Sequence, residues 1–224
     1  MSLCLLLADE LRHLFRSRLV VIVLLSLPAV LAAGSLVQGS DEMSPLIFAA
    51  FMGSSLAGLV CGAMVSTSLI GELQQGAPVL FAIRPIPRAY LLLARFLATV
   101  LALLSAMALA MALGAALSAW LHPEAGDMLA MVRSGLALSL ACALLQGSFG
   151  VLVGVTTSSM LGGVLLFLFV GMQLGNGTML LYQELPHWTA WSPALRDGAL
   201  VGGAILLSAL LLAISARVFA RRPL

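Results

Sequence analysis

From Pro45 to Ile70 the chain carries no Asp, Glu or Arg and contains no Lys, and a second oily run, interrupted only by Arg95, extends from Ala89 to Trp120. Each run is long enough to cross the roughly 30 Å hydrocarbon core of a bilayer as a helix. In that solvent every backbone N–H and C=O must be satisfied within the protein, which leaves helices or closed barrels. Long continuous apolar runs select helices. Composition agrees: 62% of residues are hydrophobic and 9% charged, against about a quarter charged in soluble domains, and the mean hydropathy is +1.12. The expected fold is therefore an all-α integral membrane protein. A length of 224 residues accommodates six transmembrane helices of about 20 residues each with short loops, and leaves no room for a separate soluble domain.

Between those two runs lies the one polar, kinked and basic stretch, Gly71 to Ala94. Gly71 and Gly76 leave helical geometry at low cost, and Pro78 suits the first turn of a new helix. Arg84 precedes Pro85 and is biased away from helix, which predicts a stop near Ile83, while Pro87 can open the next helix. The spacing predicts a short helix of about two turns lying across a membrane face. Arg84, Arg88 and the nearby Arg95 assign that face to the cytoplasm, because short arginine-rich loops stay on the side of insertion.

This segment resembles the cytoplasmic signature of type-2 ABC transporter permeases. The resemblance is carried by Glu72, Gly76, the apolar pair Leu80 and Phe81, the element Arg84-Pro85-Ile86-Pro87-Arg88 and the apolar run from Tyr90. The chain departs from the family pattern at Pro87, where Ser is frequent, at Gln74, Gln75 and Ala77, and at Arg95, where Lys is usual. The resemblance implies a cytoplasmic coupling helix between spans two and three that docks on a separate ATPase, with contacts from Glu72, Gln75, Gly76, Leu80, Arg84, Pro85 and Arg88. It further implies a dimer, with a second copy or a paralogous permease, and a pair of short outer helices between spans five and six acting as a gate.

In chain order, residues 1–18 place Asp9, Arg12, His13 and Arg16 on one helical side and leucines largely on the other, the pattern of an amphipathic interfacial helix. A signal peptide is the competing reading, and Asp9 and Glu10 in the leading segment argue against it. Span one is expected at 19–38 with a kink at Pro28, and span two at 45–70, where Ser54, Gly58 and Gly62 fall four apart on one face. Such a face permits close helix packing or lines a pathway. The coupling segment is expected at 71–88, span three at 89–120 and span four at 128–155. Arg133, one turn into span four, can snorkel to the headgroups. Span five is expected at 160–176. Clustered Gly171, Gly175, Asn176 and Gly177 predict a break and a re-entrant outer segment at 177–197, with Gly175, Gly177, Trp188 and Trp191 at the gate. Span six is expected at 198–218. Gln146, Gln173, Asn176 and Gln183 are the amides in or near the later spans, read as interhelical hydrogen-bond formers or, for Gln173, part of a pathway.

With both termini inside, arginines 12, 16, 18, 84, 88, 95, 217, 221 and 222 are cytoplasmic, and only Arg133 and Arg196 lie outside. This asymmetry favours an even span number and a multi-pass protein of the inner (cytoplasmic) membrane. No Asp, Glu or His falls at the centre of an expected span, which weakens an ion-coupled carrier. No nucleophile, base and oxyanion donor come together, and the chain has no Gly-x-x-x-x-Gly-Lys phosphate loop, so any ATP hydrolysis belongs to another chain; the resemblance implies ATP and Mg in that partner, and no cofactor or metal is expected in this chain. Cys4, Cys61 and Cys142 lack metal-ligand spacing and read as small hydrophobes. The expectation is a permease subunit that exports an amphipathic or hydrophobic substrate using a cytosolic ATP-binding subunit, with the lipid bilayer as solvent and no nucleic-acid partner. A non-transport membrane scaffold is the main alternative.

Overall fold

The computed structural model describes residues 3–37, 44–74, 88–121, 127–188 and 191–221. They form helices α1 (Leu3–Arg16), α2 (Arg18–Val37), α3 (Pro45–Gln74), α4 (Arg88–Leu121), α5 (Met128–Thr156), α6 (Met160–Trp188) and α7 (Pro193–Arg221), with no strand among the described residues. Helices α3 to α7 are each long and apolar enough to cross a bilayer, and α1 with α2, bent by 73°, would bring the count to six. The chain is a multi-pass, all-helical membrane protein.

Local chemistry sets where several helices begin. Ser44 Oγ accepts the N–H of Ile47 at 3.4 Å and Pro45 follows it at the first helical position. Asp127 accepts the N–H of Ala130 at 3.2 Å to open α5. Ser192 accepts the N–H of Leu195 at 3.4 Å, again followed by proline. Each oxygen satisfies one of the otherwise orphaned first-turn donors, and proline lacks the N–H that would be orphaned there.

Helix α5 is the axis of the bundle, with 61% of its most apolar window buried. It packs most extensively on α3 and also on α7, α4 and α6. Glycine makes the α3–α5 contact possible: a Cβ on Gly150 would lie 2.7 Å from the Cα of Gly62, and one on Gly154 would lie 2.9 Å from the Cβ of Leu69. Backbone against backbone is how helices associate where lipid supplies no hydrophobic drive. In α6 and α7 only 22% of the corresponding window is buried, so their outer faces meet lipid or another chain.

Several elements differ from the sequence reading. Helix α6 runs unbroken through Gly171, Gly175, Asn176 and Gly177 to Trp188, so there is no break at the glycines and the first part of the proposed outer gate segment is a continuation of span five. An uninterrupted helix satisfies its own backbone at membrane depth, whereas a break there would need other partners. Helix α3 continues past Gly71 to Gln74, and α7 begins at Pro193, several residues before 198. Pro28 sits inside α2 without ending it.

Candidate functional site

At the end of the bundle where α3 finishes and α4 starts, the side chain of Arg95 is drawn between two carboxylates. Its Nη2 lies 2.5 Å from Glu72 Oε1 and 3.4 Å from Glu10 Oε1. Glu72 belongs to the last turn of α3, Arg95 to the early part of α4 and Glu10 to α1, so one guanidinium joins three helices. The Arg95 side chain is 11% exposed, against 17% for Glu10 and 32% for Glu72. Partial burial makes these charge-assisted contacts stronger than surface pairs. Arg95 Nη1 is buried with no hydrogen-bond partner.

The same three residues line one side of a cleft of about 350 Å³ that continues between α2 and α3. Val20, Val23 and Met64 give it an apolar wall, and Met160 of α6 also lines it. A second cleft of about 380 Å³ opens at the other end of α3, with Ile47 and Phe51 on one wall and Met131 and Leu138 on the other. Tyr182 and Arg196 border it.

Beside that second cleft stands another ionic group. Asp197, with a side chain 7% exposed, accepts a hydrogen bond from Ser134 Oγ at 2.8 Å and faces Arg133 Nε at 3.5 Å and Arg196 Nε at 3.8 Å. Arg196 donates to the Tyr182 hydroxyl at 2.5 Å, with its guanidinium carbon 4.2 Å from that ring's centroid. Arg133, read from sequence as a snorkelling side chain, is half exposed and also paired with Asp197.

Between the two clefts the bundle is closed by small residues around one amide. Ser54, Gly58 and Gly62 are buried on the α3 face that meets α5. The Ser54 hydroxyl lies 2.9 Å from that of Ser139. A Cβ on Gly58 would fall 2.7 Å from the Gln146 side chain, and one on Gly175 would collide with Gln146 Nε2. Gln146 is wholly buried and neither its Nε2 nor its Oε1 has a hydrogen-bond partner. Gly175 is therefore needed for the approach of α6 to Gln146, which the expected gate role did not anticipate. Gln173, grouped with these residues from sequence, is instead exposed on α6 and does not join the seam.

Of the residues expected to grip an ATPase, Glu72 is in the ionic triad, while Gln75, Gly76, Leu80, Arg84 and Pro85 lie outside the described residues. Arg88 opens α4. Of the gate residues, Gly177 has open space where a Cβ would sit, Trp188 ends α6, and Trp191 is 49% exposed. The members of the triad lie far apart in sequence, as do Arg133 and Ser134 from Asp197, so only the fold brings them together. Acidic residues flanking apolar runs were the only available hint. Among the described residues no group of His, Cys, Asp and Glu has the arrangement of a metal site. Compared with known protein families the chain matches no family model, and compared with curated proteins it finds no match.

Proposed function

We propose that the protein is the membrane-spanning permease subunit of an ATP-driven exporter, resembling the type-2 ABC class, that moves an amphipathic or hydrophobic substrate outward across the inner (cytoplasmic) membrane. The observation that carries this reading is the triad of Glu10, Glu72 and Arg95. Residues 75–87 connect α3 to α4, and the triad ties the helices on either side of that connection to each other and to α1. A partner that pushes on the connection or on α1 therefore displaces three helices together rather than bending one. The motion would reach the seam at Gln146, where α3, α5 and α6 meet through glycines seated against the Gln146 and Phe167 side chains. Clefts at both ends of α3, separated by that closed seam, suit a path that opens to one side at a time.

In this reading the partner subunits bind ATP and Mg, close on nucleotide, and press on the segment 71–88. Gln75, Gly76, Leu80, Arg84, Pro85 and Arg88 supply the grip, and Glu72 relays it through Arg95. The 22% burial of α6 and α7 leaves apolar surface for a second permease copy or a paralogue. Both termini are cytoplasmic, as the arginine distribution indicates.

The test is co-expression with phosphate-loop ATP-binding subunits from the same genome, followed by co-purification. Wild type should retain one such subunit, and Arg84→Glu and Leu80→Asp should each lose it. Equal recovery with both variants would overturn the docking assignment.

A further inference from the structure

We propose that the cleft beside Arg95 binds the headgroup of a phospholipid bearing a primary ammonium, with its acyl chain running along α2 and α3. The lining is amphipathic in the sense such a molecule requires. Its polar end holds Glu10, Glu72 and Arg95, with His13 alongside, and its apolar wall holds Val20, Val23 and Met64. A volume of about 350 Å³ is at the lower end of the range for small-molecule sites, enough for a headgroup and the start of a chain but not a whole lipid. Helix α1, amphipathic and bent by 73° from α2, puts that polar end where an interfacial helix meets the first span.

The donor and acceptor balance decides the headgroup. Two carboxylates face one guanidinium, so these three side chains carry a formal excess of one negative charge. Two of the cleft's four hydroxyls add acceptors, because their protons are already used: Thr67 Oγ1 donates to the Ala63 carbonyl at 2.7 Å and Thr99 Oγ1 to the Arg95 carbonyl at 3.0 Å, while those of Ser17 and Ser68 can donate or accept. An ammonium with three N–H donors matches this surface, and a trimethylated choline, which has none, does not. One donor on the protein runs the other way. Arg95 Nη1 is buried without a partner, and a small side-chain shift that turned it toward the cleft would let a phosphate oxygen next to the ammonium accept from it. A headgroup with phosphate and primary ammonium thus meets both needs, whereas an anionic glycerol headgroup meets only the second and confronts the excess negative charge. The site requires no ATPase partner and stands or falls separately from the permease reading.

The experiment is native mass spectrometry and thermal unfolding of the purified full chain in detergent, titrated with phosphatidylethanolamine, phosphatidylcholine or phosphatidylglycerol of the same acyl chains. The wild type should bind phosphatidylethanolamine roughly tenfold more tightly than either of the others and be stabilised by it. Glu10→Gln with Glu72→Gln should remove the preference. Because those substitutions disturb the triad and with it folding, Val23→Trp provides the second arm: it fills the apolar wall, leaves all three charged residues in place, and should also abolish the preference. Equal binding of the ethanolamine and choline lipids, a preference for the glycerol lipid, or undiminished selectivity in Val23→Trp would overturn the assignment.

Discussion

Gly62 of α3 and Gly150 of α5 meet backbone to backbone: a Cβ on Gly150 would collide with the Gly62 carbonyl oxygen and lie 2.7 Å from its Cα. No side chain at Gly150 can turn away from that clash, because the obstructing atoms are main chain. Gly150→Ala should therefore force α3 and α5 apart and cost about 1–3 kcal/mol, the range for overpacked cores. The control is Gly202→Ala, where a Cβ would meet nothing within 4 Å, and which should leave stability unchanged or raise it by up to about 1 kcal/mol, because alanine is the better helix former. Thermal unfolding in detergent compares the two, and equal midpoints would contradict the contact.

Gln146 makes the opposite prediction. Its side-chain oxygen and nitrogen are buried without partners, and an unsatisfied buried amide costs about 1–3 kcal/mol. Gln146→Met keeps the length and removes both polar atoms, so the unfolding midpoint should rise. A fall would mean that the amide is bonded in the resting protein. If the seam is also the pathway, the same variant should lower transport while stabilising the fold, a trade expected where a strained polar group serves function.

The Asp197 group separates a buried charge from a surface one. Asp197→Ala removes the acceptor for Ser134 and leaves Arg133 and Arg196 facing each other without their shared carboxylate. It should destabilise by about 2 kcal/mol or more. Arg133→Gln loses one contact from a side chain that is 53% exposed and should cost no more than about 1 kcal/mol after solvent screening. Denaturation of both variants, with Arg196→Gln as a third, checks the order.

Arg95→Met should cost about 1–3 kcal/mol, because it leaves Glu10 and Glu72 as neighbouring anions without the cation between them. The value is set below that of a fully buried pair because Glu72 is about one-third exposed. Adding Glu10→Gln and Glu72→Gln to Arg95→Met should recover part of the loss. A triple variant no more stable than Arg95→Met would show that the arginine acts through packing alone.

What could be read from sequence followed the range of the interaction. An apolar run such as Pro45 to Ile70 states its own preference for a helix, since bilayer thickness and backbone satisfaction leave few alternatives. The close face of Ser54, Gly58 and Gly62 was visible from spacing, but its partner was not, because nothing in sequence joins position 62 to 150. The glycines of α6 misled for a related reason. Gly171 and Gly175 suggested a break, yet each sits where another side chain comes close, Phe167 at the first and Gln146 at the second, and the helix continues. Small size rather than backbone freedom is what those positions use. Arg95 stood out as an anchor for a cytoplasmic loop, while its partners came from α1 and from the end of α3, and only the folded chain brings them together.

If force from an ATPase passes through Arg95 into the spans, as proposed, the measurement that shows it most directly is ATP turnover by the proposed partner subunit in nanodiscs with wild type or Arg95→Gln, at a temperature where both remain folded. That partner should co-purify equally with both, because Arg95 is not among the proposed gripping residues, while stimulation of its turnover by this chain should fall at least roughly fivefold with the variant, the lower end of ordinary coupling energies. Wild-type stimulation by Arg95→Gln would contradict the account.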